Sequence, residues 1–344
     1  MAQDVLFIDQ TLREATSLGP AAARAVLKEM RHFQISLLDV PMALGKVLPL
    51  RTQAEAFRAI LPLAQGAAAE AAQLGFQQVL FSCSLQQGLP AYTVEVLREA
   101  KAQKLRAMLL VEDASLASGL LWQAVLPMLC AAGLEGLALK DTAGILQPLL
   151  LQEHLDLLQQ QWPQLELEFH GSNEKQLATA NAWAAWRAGV RRLAVSVGGK
   201  NNSAPWEEVL LLLRQLGEVP LTVPVNMAQR SRWLLQLLGE ETAANKAIIG
   251  ENIFAHESGL HVAGVAKDAG LYEAFPPDLV GAERKIILGK HSGTTSLRVK
   301  FKELGLPFPS RAETLLMKIR ALAVARKRAI SDEELLALWR EETA

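Results

Sequence analysis

Histidines concentrate in one short stretch of this 344-residue chain, which has six histidines in all. His256 and His261 lie on either side of Glu257 and Gly259, and His291 follows in a Gly-Lys-His-Ser-Gly run. Histidine is the side chain best placed to exchange a proton near neutral pH. We interpret the stretch as a loop that presents groups for proton transfer, although each histidine taken alone fits a structural role at least as well.

Other polar side chains follow the ends of apolar, strand-like runs. They are Asp9, Thr11, Arg13 and Glu14 after the first run, Glu112 and Asp113 after the fifth, Lys140, Asp141 and Thr142 after the sixth, His170, Ser172, Asn173 and Glu174 after the seventh, and Lys200, Asn201, Asn202 and Ser203 after the eighth. Any one of them could cap a helix. Together they predict a site, in which carboxylate and imidazole groups could bind a divalent metal that polarises a carbonyl oxygen.

The elements that must position these groups alternate along the chain. Strand-like runs cover residues 5–8, 37–40, 78–82, 106–112, 137–139, 165–170 and 193–197, with a further run near 60–63 that precedes a strongly helical, Ala-rich segment, 64–74. Amphipathic segments with helical spacing include 21–33, 92–103, 146–161, 174–188 and 205–216. Apolar strands that alternate with amphipathic helices are typical of a parallel sheet covered by helices.

Eight such strands predict an α/β fold, a (β/α)8 TIM barrel over residues 1–220, whose site lies at the carboxyl ends of the strands. The competing fold is an open doubly wound sheet, but no Gly-rich phosphate-binding motif follows the first strand. Residues 221–344 are expected to form a mainly α-helical appendage with helices at 227–238, 311–326 and 331–342. Residues 276–288 are expected to form a loop.

Composition excludes several classes of function. The formal net charge of −1 gives no basis for a broad nucleic-acid surface. No apolar run reaches the ~18 residues of a membrane helix, and the N-terminus lacks the profile of a signal peptide. Cys83 and Cys130 are expected to be buried free thiols. The sequence therefore predicts a cytoplasmic protein with no nucleic-acid or membrane partner.

Several motifs resemble the acyl-CoA-dependent condensing enzymes of the DRE-TIM metallolyase superfamily, namely the homocitrate, isopropylmalate and citramalate synthases. Residues 9–14, Asp-Gln-Thr-Leu-Arg-Glu, resemble the family opening D-T-T-L-R-D, and residues 141–144 resemble D-T-x-G. Residues 169–181 resemble H-x-H-N-D-x-G-x-A-x-A-N. Residues 256–261 and 288–293 are most similar to homocitrate synthases of the nitrogen-fixation type.

The resemblance implies a condensation of acetyl-CoA with a 2-oxo acid in a homodimer. It implies metal ligation (Mg, Mn or Zn) by Asp9 and His170, with Ser172 as a weak third ligand, catalytic roles for Arg13, Glu112, His256 and His261, and substrate binding by Arg13, Thr142, Tyr272, Asn201 and Ser203. The appendage histidine and Tyr272 would act on the site of the neighbouring subunit.

Departures from the family pattern fall at the site itself. Ser172 stands where the second His of H-x-H is expected, Glu174 replaces an Asp, and Ser203 aligns with an Asn near the metal. A neutral hydroxyl is a poor substitute for imidazole on a transition metal. Two alternatives to the condensing enzyme therefore stay open: a catalytically inactive homologue that binds a ligand or regulates a partner, and a retro-aldol lyase.

Overall fold

The computed structural model describes residues 5–16, 18–84, 86, 88–116, 119–216 and 219–343. The chain divides into two compact units. The first comprises Met1–Pro224 and Arg230–Glu241, and the second comprises Val225–Gln229 and Thr242–Ala344. The predicted boundary at residue 220 assigned residues 230–241 to the appendage, whereas their contacts place them in the first unit.

The first unit contains a closed barrel of eight parallel strands in chain order, which confirms the predicted fold and excludes the doubly wound sheet. The strands are β1 (Leu6–Asp9), β2 (Leu37–Pro41), β3 (Phe57–Pro62), β4 (Gln78–Ser84), β5 (Arg106–Glu112), β6 (Leu134–Asp141), β7 (Glu166–Gly171) and β8 (Arg192–Val195). The run expected near 60–63 is β3, and β1 pairs with β8 to close the barrel. Every predicted strand is therefore present.

Helices follow the strands around the outside of the barrel. They are α1 (Pro20–Met30), α2 (Leu50–Gln53), α3 (Ala67–Leu74), α4 (Thr93–Ala102), α5 (Gly119–Ala132), α6 (Pro148–Gln161), α7 (Ala178–Arg187), α8 (Trp206–Gln215) and α9 (Met227–Leu237). The helix after β2 has only four residues, so the outer layer is thinnest between α1 and α3. An apolar groove lined by Leu27, Leu38 and Val47 lies at this place.

The barrel core explains why the strands are apolar along their whole length. Leu80, Met108, Leu110 and Ala138 pack together inside the barrel, while residues such as Val79 and Leu109 are fully buried between strands and helices. Since both faces of each strand are buried, the strands read as continuous apolar runs rather than as alternating ones.

The described residues of the second unit form four helices, of which the last three pack around an apolar core. They are α10 (Gly259–Lys267), α11 (Thr294–Glu303), α12 (Ala312–Arg326) and α13 (Asp332–Thr343). Leu297, Phe301, Leu315 and Ile319 lie at the centre of this core and are almost fully buried. The helices predicted at 311–326 and 331–342 are thereby confirmed.

Of two local predictions for this unit, one was wrong and one held only in part. The histidine stretch is not a loop, because His256 ends a short strand, β9 (Ala255–His256), and His261 lies in α10. Residues 276–288 are not wholly loop, because they contain a 3-10 turn, Pro277–Val280, and β10 (Lys285–Ile286), which pairs in parallel with β9. Glycine and proline favoured a loop in both segments, but paired strands and a helix form there.

Two further observations concern the whole described chain. None of its helices combines the length and apolar character needed to cross a membrane. Both cysteines are free, as expected, but only Cys83 is buried, and Cys130 is half-exposed. Burial raises the pKa of the Cys83 thiol to about 12, so this thiol is unreactive.

Candidate active site at the carboxyl end of the barrel

A small polar cavity lies at the carboxyl ends of strands β6, β7 and β8 of the barrel. It is lined by Arg13, Glu14, Lys140, Thr142, His170, Gly171, Ser172, Glu174, Ala194, Asn201, Asn202 and Ser203. Six predicted site residues are among them: Arg13, Thr142, His170, Ser172, Asn201 and Ser203. The rule that barrel sites lie at the carboxyl ends of strands therefore finds a real cavity here.

The carboxylate of Glu112 pairs with both cations of the cavity. Arg13 Nη2 lies 3.3 Å from Glu112 Oε1, and Lys140 Nζ lies 3.5 Å from the same oxygen. Burial, with help from Arg13, lowers the pKa of Lys140, against the raising effects of Glu112 and Glu14. Two cations thus share one acceptor, and the group is suited to bind an anion.

The loops after β6 and β8 hold the polar lining in place. Thr142 Oγ1 accepts a hydrogen bond from the Asp113 backbone N–H at 2.9 Å. Asp141, fully buried, accepts from the backbone N–H groups of Ile145 and Leu146, so it stabilises the start of the following loop. Asn201 Nδ2 donates to the Gln10 carbonyl at 3.0 Å, which ties the β8 loop to β1.

Asp9, which was predicted to bind the metal, points away from the cavity. Ile8 is paired with Ala194, a lining residue of the cavity, and Asp9 is the next residue along β1. Successive side chains of a strand point to opposite faces, so Asp9 lies on the outside of the barrel. Its two carboxylate oxygens accept hydrogen bonds from the Thr11 N–H at 2.9 Å and the Thr11 hydroxyl at 2.7 Å. Its predicted role as a metal ligand is not supported by this geometry.

A buried charge network fills the barrel below the cavity, and sequence reasoning missed it. Arg58 on β3 donates to both oxygens of Asp39 on β2, at 2.6 and 2.8 Å, and to both oxygens of Glu168 on β7, at 2.9 and 2.6 Å. Arg192 on β8 donates to Glu168 at 2.9 Å. Burial acts to raise the pKa of Glu168, but Arg58 and His170 outweigh it and hold this pKa well below its usual range. Asp39 and Glu168, which lie inside predicted strand-like runs, were the signal for this network, whereas Arg58 and Arg192 lie just before such runs.

His170 connects this network to the cavity. Its Nε2 lies 2.6 Å from Glu168 Oε1. Burial lowers the pKa of His170 and outweighs Glu168, which acts to raise it. The lowered pKa favours the neutral imidazole. Since Glu168 is ionised, we assign the ring proton to Nε2, which donates it to Glu168. His170 therefore has only Nδ1 left to offer to a ligand.

The donor set does not fit a divalent metal. Within the described part of the chain, the ligand atoms of Asp39, Glu168 and His170 form the one group of three that lies within 4.8 Å. Arg58 already occupies the carboxylates of that group. At the cavity, Ser172 is neutral, and Glu14 and Glu174 are exposed at the mouth. The predicted metal site of Asp9, His170 and Ser172 is therefore not assembled.

The predicted residues of the appendage form a cluster of their own. The Nε2 of His256 lies 3.5 Å from Glu273 Oε1, and Arg284 donates to both oxygens of Glu273. The hydrogen bonds from Arg284 lower the pKa of Glu273. The His261 and Tyr272 rings are in contact, with their centroids 5.4 Å apart. The second unit thus holds one imidazole beside a carboxylate and a second, the exposed His261, against an aromatic ring.

Four polar lining residues had been given no individual role from the sequence: Glu14, Lys140, Glu174 and Asn202. All four follow or end predicted strands, so the strand-end rule contained the signal. Lys140 is the most informative of them, because the cavity places it beside Arg13 and Glu112.

Two family models match this chain. The one described as HMGL-like covers residues 69–232, and the one described as homocitrate synthase post-HMGL domain-like covers residues 248–327. Among the relatives, 2-isopropylmalate synthase 2 of Caldanaerobacter subterraneus subsp. tengcongensis is 37% identical over 215 residues, which is 61% of this chain and 56% of that protein. Homocitrate synthase of Frankia sp. (strain FaC1) is 36% identical over 231 residues, 65% of this chain and 56% of that protein. The matches to these two relatives span about half of their lengths.

Solved structures share the fold. The hydroxymethylglutaryl-CoA lyase of Pseudomonas aeruginosa superposes with a TM-score of 0.56 at 17% identity, over 70% of this chain and 95% of that chain. The HMG-CoA lyase of Brucella melitensis gives a TM-score of 0.54 at 16% identity, over 69% of this chain and 98% of that chain. At these identities the likeness establishes the barrel alone.

Proposed function

We propose that this chain, which belongs to the DRE-TIM metallolyase family, condenses acetyl-CoA with a 2-oxo acid in the manner of a homocitrate synthase. The relatives are condensing synthases. The observation that carries the proposal is the cavity itself, in which Arg13, Thr142, Asn201 and Ser203 converge at the carboxyl end of the barrel. A carboxylate-binding set of this kind suits an oxo acid.

The roles of the residues follow from their chemistry. Arg13 would bind the carboxylate of the oxo acid, and Thr142, Asn201 and Ser203 would orient it by hydrogen bonds. Glu112 would hold Arg13 in place, since the two side chains form an ion pair at the cavity. Charge that develops on the oxo oxygen would be stabilised by the cations of the cavity.

We further propose a homodimer in which the appendage of one subunit supplies His256 or His261, together with Tyr272, to the site of the other. Support comes from the match of residues 248–327 to the post-HMGL domain of homocitrate synthases. Histidine is suited to exchange the proton of the acetyl methyl group, because its pKa lies near neutral pH.

A thiol-release assay tests the proposed function. Purified protein would be incubated with acetyl-CoA and a panel of 2-oxo acids, first with EDTA and then with Mg2+, Mn2+ or Zn2+. Free CoA that appears with one oxo acid identifies the substrate. Arg13→Met should abolish the release of CoA, while Arg24→Met, which changes an exposed arginine on α1, should not. No release under any condition from a folded protein contradicts the proposal.

A second candidate is a homologue that binds the oxo acid without turnover. The neutral Ser172 and the occupation of Asp39 and Glu168 by Arg58 favour it. Binding of an oxo acid by calorimetry, without CoA release, would distinguish this candidate from the enzyme. A retro-aldol lyase, the third possibility, would consume a hydroxy acid and need no acetyl-CoA.

A further inference from the structure

The side chain of Lys140 points into the barrel and lines the cavity at its carboxyl end. It is the next-to-last residue of β6, and its register partner on β7 is His170. Ala138, two residues earlier, packs in the barrel interior against Leu80 and Leu110. Because side chains alternate along a strand, Lys140 faces the interior as well, and it lines the cavity. The sequence of β6 thus places an ammonium group between Glu112 and His170.

The two cations of the cavity are partly buried, whereas the two carboxylates of its lining, Glu14 and Glu174, are exposed at the mouth. Arg13 and Lys140 both approach Glu112 Oε1, at 3.3 and 3.5 Å. Among the described residues, Glu112 is the one carboxylate that pairs with both cations away from the mouth of the cavity. Glu14 also acts on Lys140, but it is exposed at the mouth, where solvent screens its charge. The interior end of the cavity is therefore built to receive an anionic or strongly polar oxygen.

We propose that the Lys140 ammonium does the work that a divalent metal does elsewhere in the family: it binds the 2-oxo oxygen of the substrate and protonates it during condensation. This inference rests on the proposed function. It also explains why the donor set around His170 and Ser172 does not fit a metal, since a protein cation already supplies the positive charge.

The proposed step balances in protons and electrons. The acetyl methyl group loses a proton to the proposed base, His256 or His261. The resulting carbanion forms a bond to C2 of the oxo acid. The electron pair of the C=O bond moves to the oxygen, which takes a proton from the Lys140 ammonium. The oxygen becomes the neutral hydroxyl group of the product, and Lys140 regains from water the proton that the base releases to water. Water then hydrolyses the thioester: its oxygen bonds to the acyl carbon, the C–S bond breaks, and CoA leaves as the free thiol. Burial and Arg13 lower the pKa of Lys140, which makes its ammonium a better proton donor to the alkoxide.

Calorimetric titration of the intact protein with pyruvate, 2-oxoisovalerate and 2-oxoglutarate tests the inference. The titrations are made in EDTA and again with Mg2+, Mn2+ or Zn2+. We expect the wild-type chain to bind one of these acids in EDTA. Lys140→Met should weaken that binding by about tenfold or more, because a hydrogen bond to a charged group is lost. The matched control is Lys175→Met, an exposed lysine outside the cavity lining, which should leave the affinity unchanged.

Lys140→Arg separates charge from proton donation and guards against a folding defect. Arginine keeps the positive charge but is not deprotonated in proteins, so this variant should bind the oxo acid and fail to release CoA. Binding that requires an added metal, or that survives Lys140→Met, overturns the inference and leaves the proposed function standing. If no oxo acid binds to folded protein with or without metal, both the inference and the proposed function fail.

Discussion

The role that Asp9 can have depends on the face of strand β1 to which its side chain points. At the end of β1 it has the position expected of a metal ligand, yet its carboxylate is fully buried outside the barrel and bonded to Thr11. Burial raises the pKa of Asp9 to about 7, from an ordinary value of 3.8, although the Thr11 hydrogen bonds act to lower it. Its titration is therefore coupled to folding.

The sign of this coupling gives a prediction. Between pH ~4 and ~7 the folded chain binds a proton that the unfolded chain has released, so the free energy of unfolding decreases as the pH rises through this range. Relative to Asp9→Asn, which does not titrate, the wild-type chain should lose about 2–3 kcal/mol between pH 5 and pH 8. Urea unfolding at the two pH values measures this. Glu153→Gln, at an exposed position on α6, is the control and should not alter the pH dependence.

Arg58 is the second residue whose role only the structure reveals. Its side chain is 1% exposed and lies between Asp39 and Glu168, which are fully buried. The predicted consequence concerns stability: Arg58→Met should cost about 3–5 kcal/mol, because buried Asp39 loses its ion-pair partner and buried Glu168 loses one of its arginines. Arg106→Met, which breaks ion pairs at the surface, should cost less than ~1 kcal/mol. Equal losses from the two variants in chemical unfolding would contradict this account.

At the scale of elements, the positions of the helices and strands could be predicted from the sequence. The face of the strand on which each residue lies could not. Eight apolar runs alternating with amphipathic segments were enough for the barrel, because both features follow from burial. The same burial makes both faces of a strand apolar, which hides whether Asp9 faces inward. Arg58 and Glu168 were missed for a related reason, since charged residues within an apolar strand are rarely placed in a core. Site residues that follow the ends of strands, such as Arg13 and Thr142, could be predicted from the sequence.

Helix α10 provides a prediction in which packing opposes propensity. A Cβ added at Gly264 would lie 2.4 Å from the Tyr272 ring. Replacing glycine by alanine within a helix normally stabilises by up to ~1 kcal/mol. Here Gly264→Ala should give little or none of this stabilisation, because the end of the partly exposed Tyr272 side chain must first be displaced. Thermal unfolding would show it, with Gly119→Ala on α5 as the control, since no atom lies within 4 Å of the added Cβ there.

At the scale of the whole molecule, the residues with proposed roles in the reaction are divided between the two units. The barrel holds the cavity with Arg13, and the second unit holds His256 beside Glu273 and Arg284. The proposed dimer joins them across subunits. An Arg13→Met chain and a His256→Ala chain should then each be inactive, whereas their mixed dimer has one complete site. After unfolding and refolding together, roughly a quarter of the wild-type rate of CoA release should return. Recovery absent from a mixture shown to form mixed dimers would contradict the exchange.

The buried network has a consequence for how the barrel could be divided. Asp39 and Arg58 belong to β2 and β3, while Glu168 and Arg192 belong to β7 and β8, so each half of the barrel contains one acid and one base of its own. A nick in the connection between β4 and β5 would leave one acid and one base of this network in each piece. Arg58 would keep Asp39 as a partner and Glu168 would keep Arg192, and the Arg58–Glu168 contact would form again when the pieces reassociate. The protein is thus suited to fragment complementation as two half-barrels.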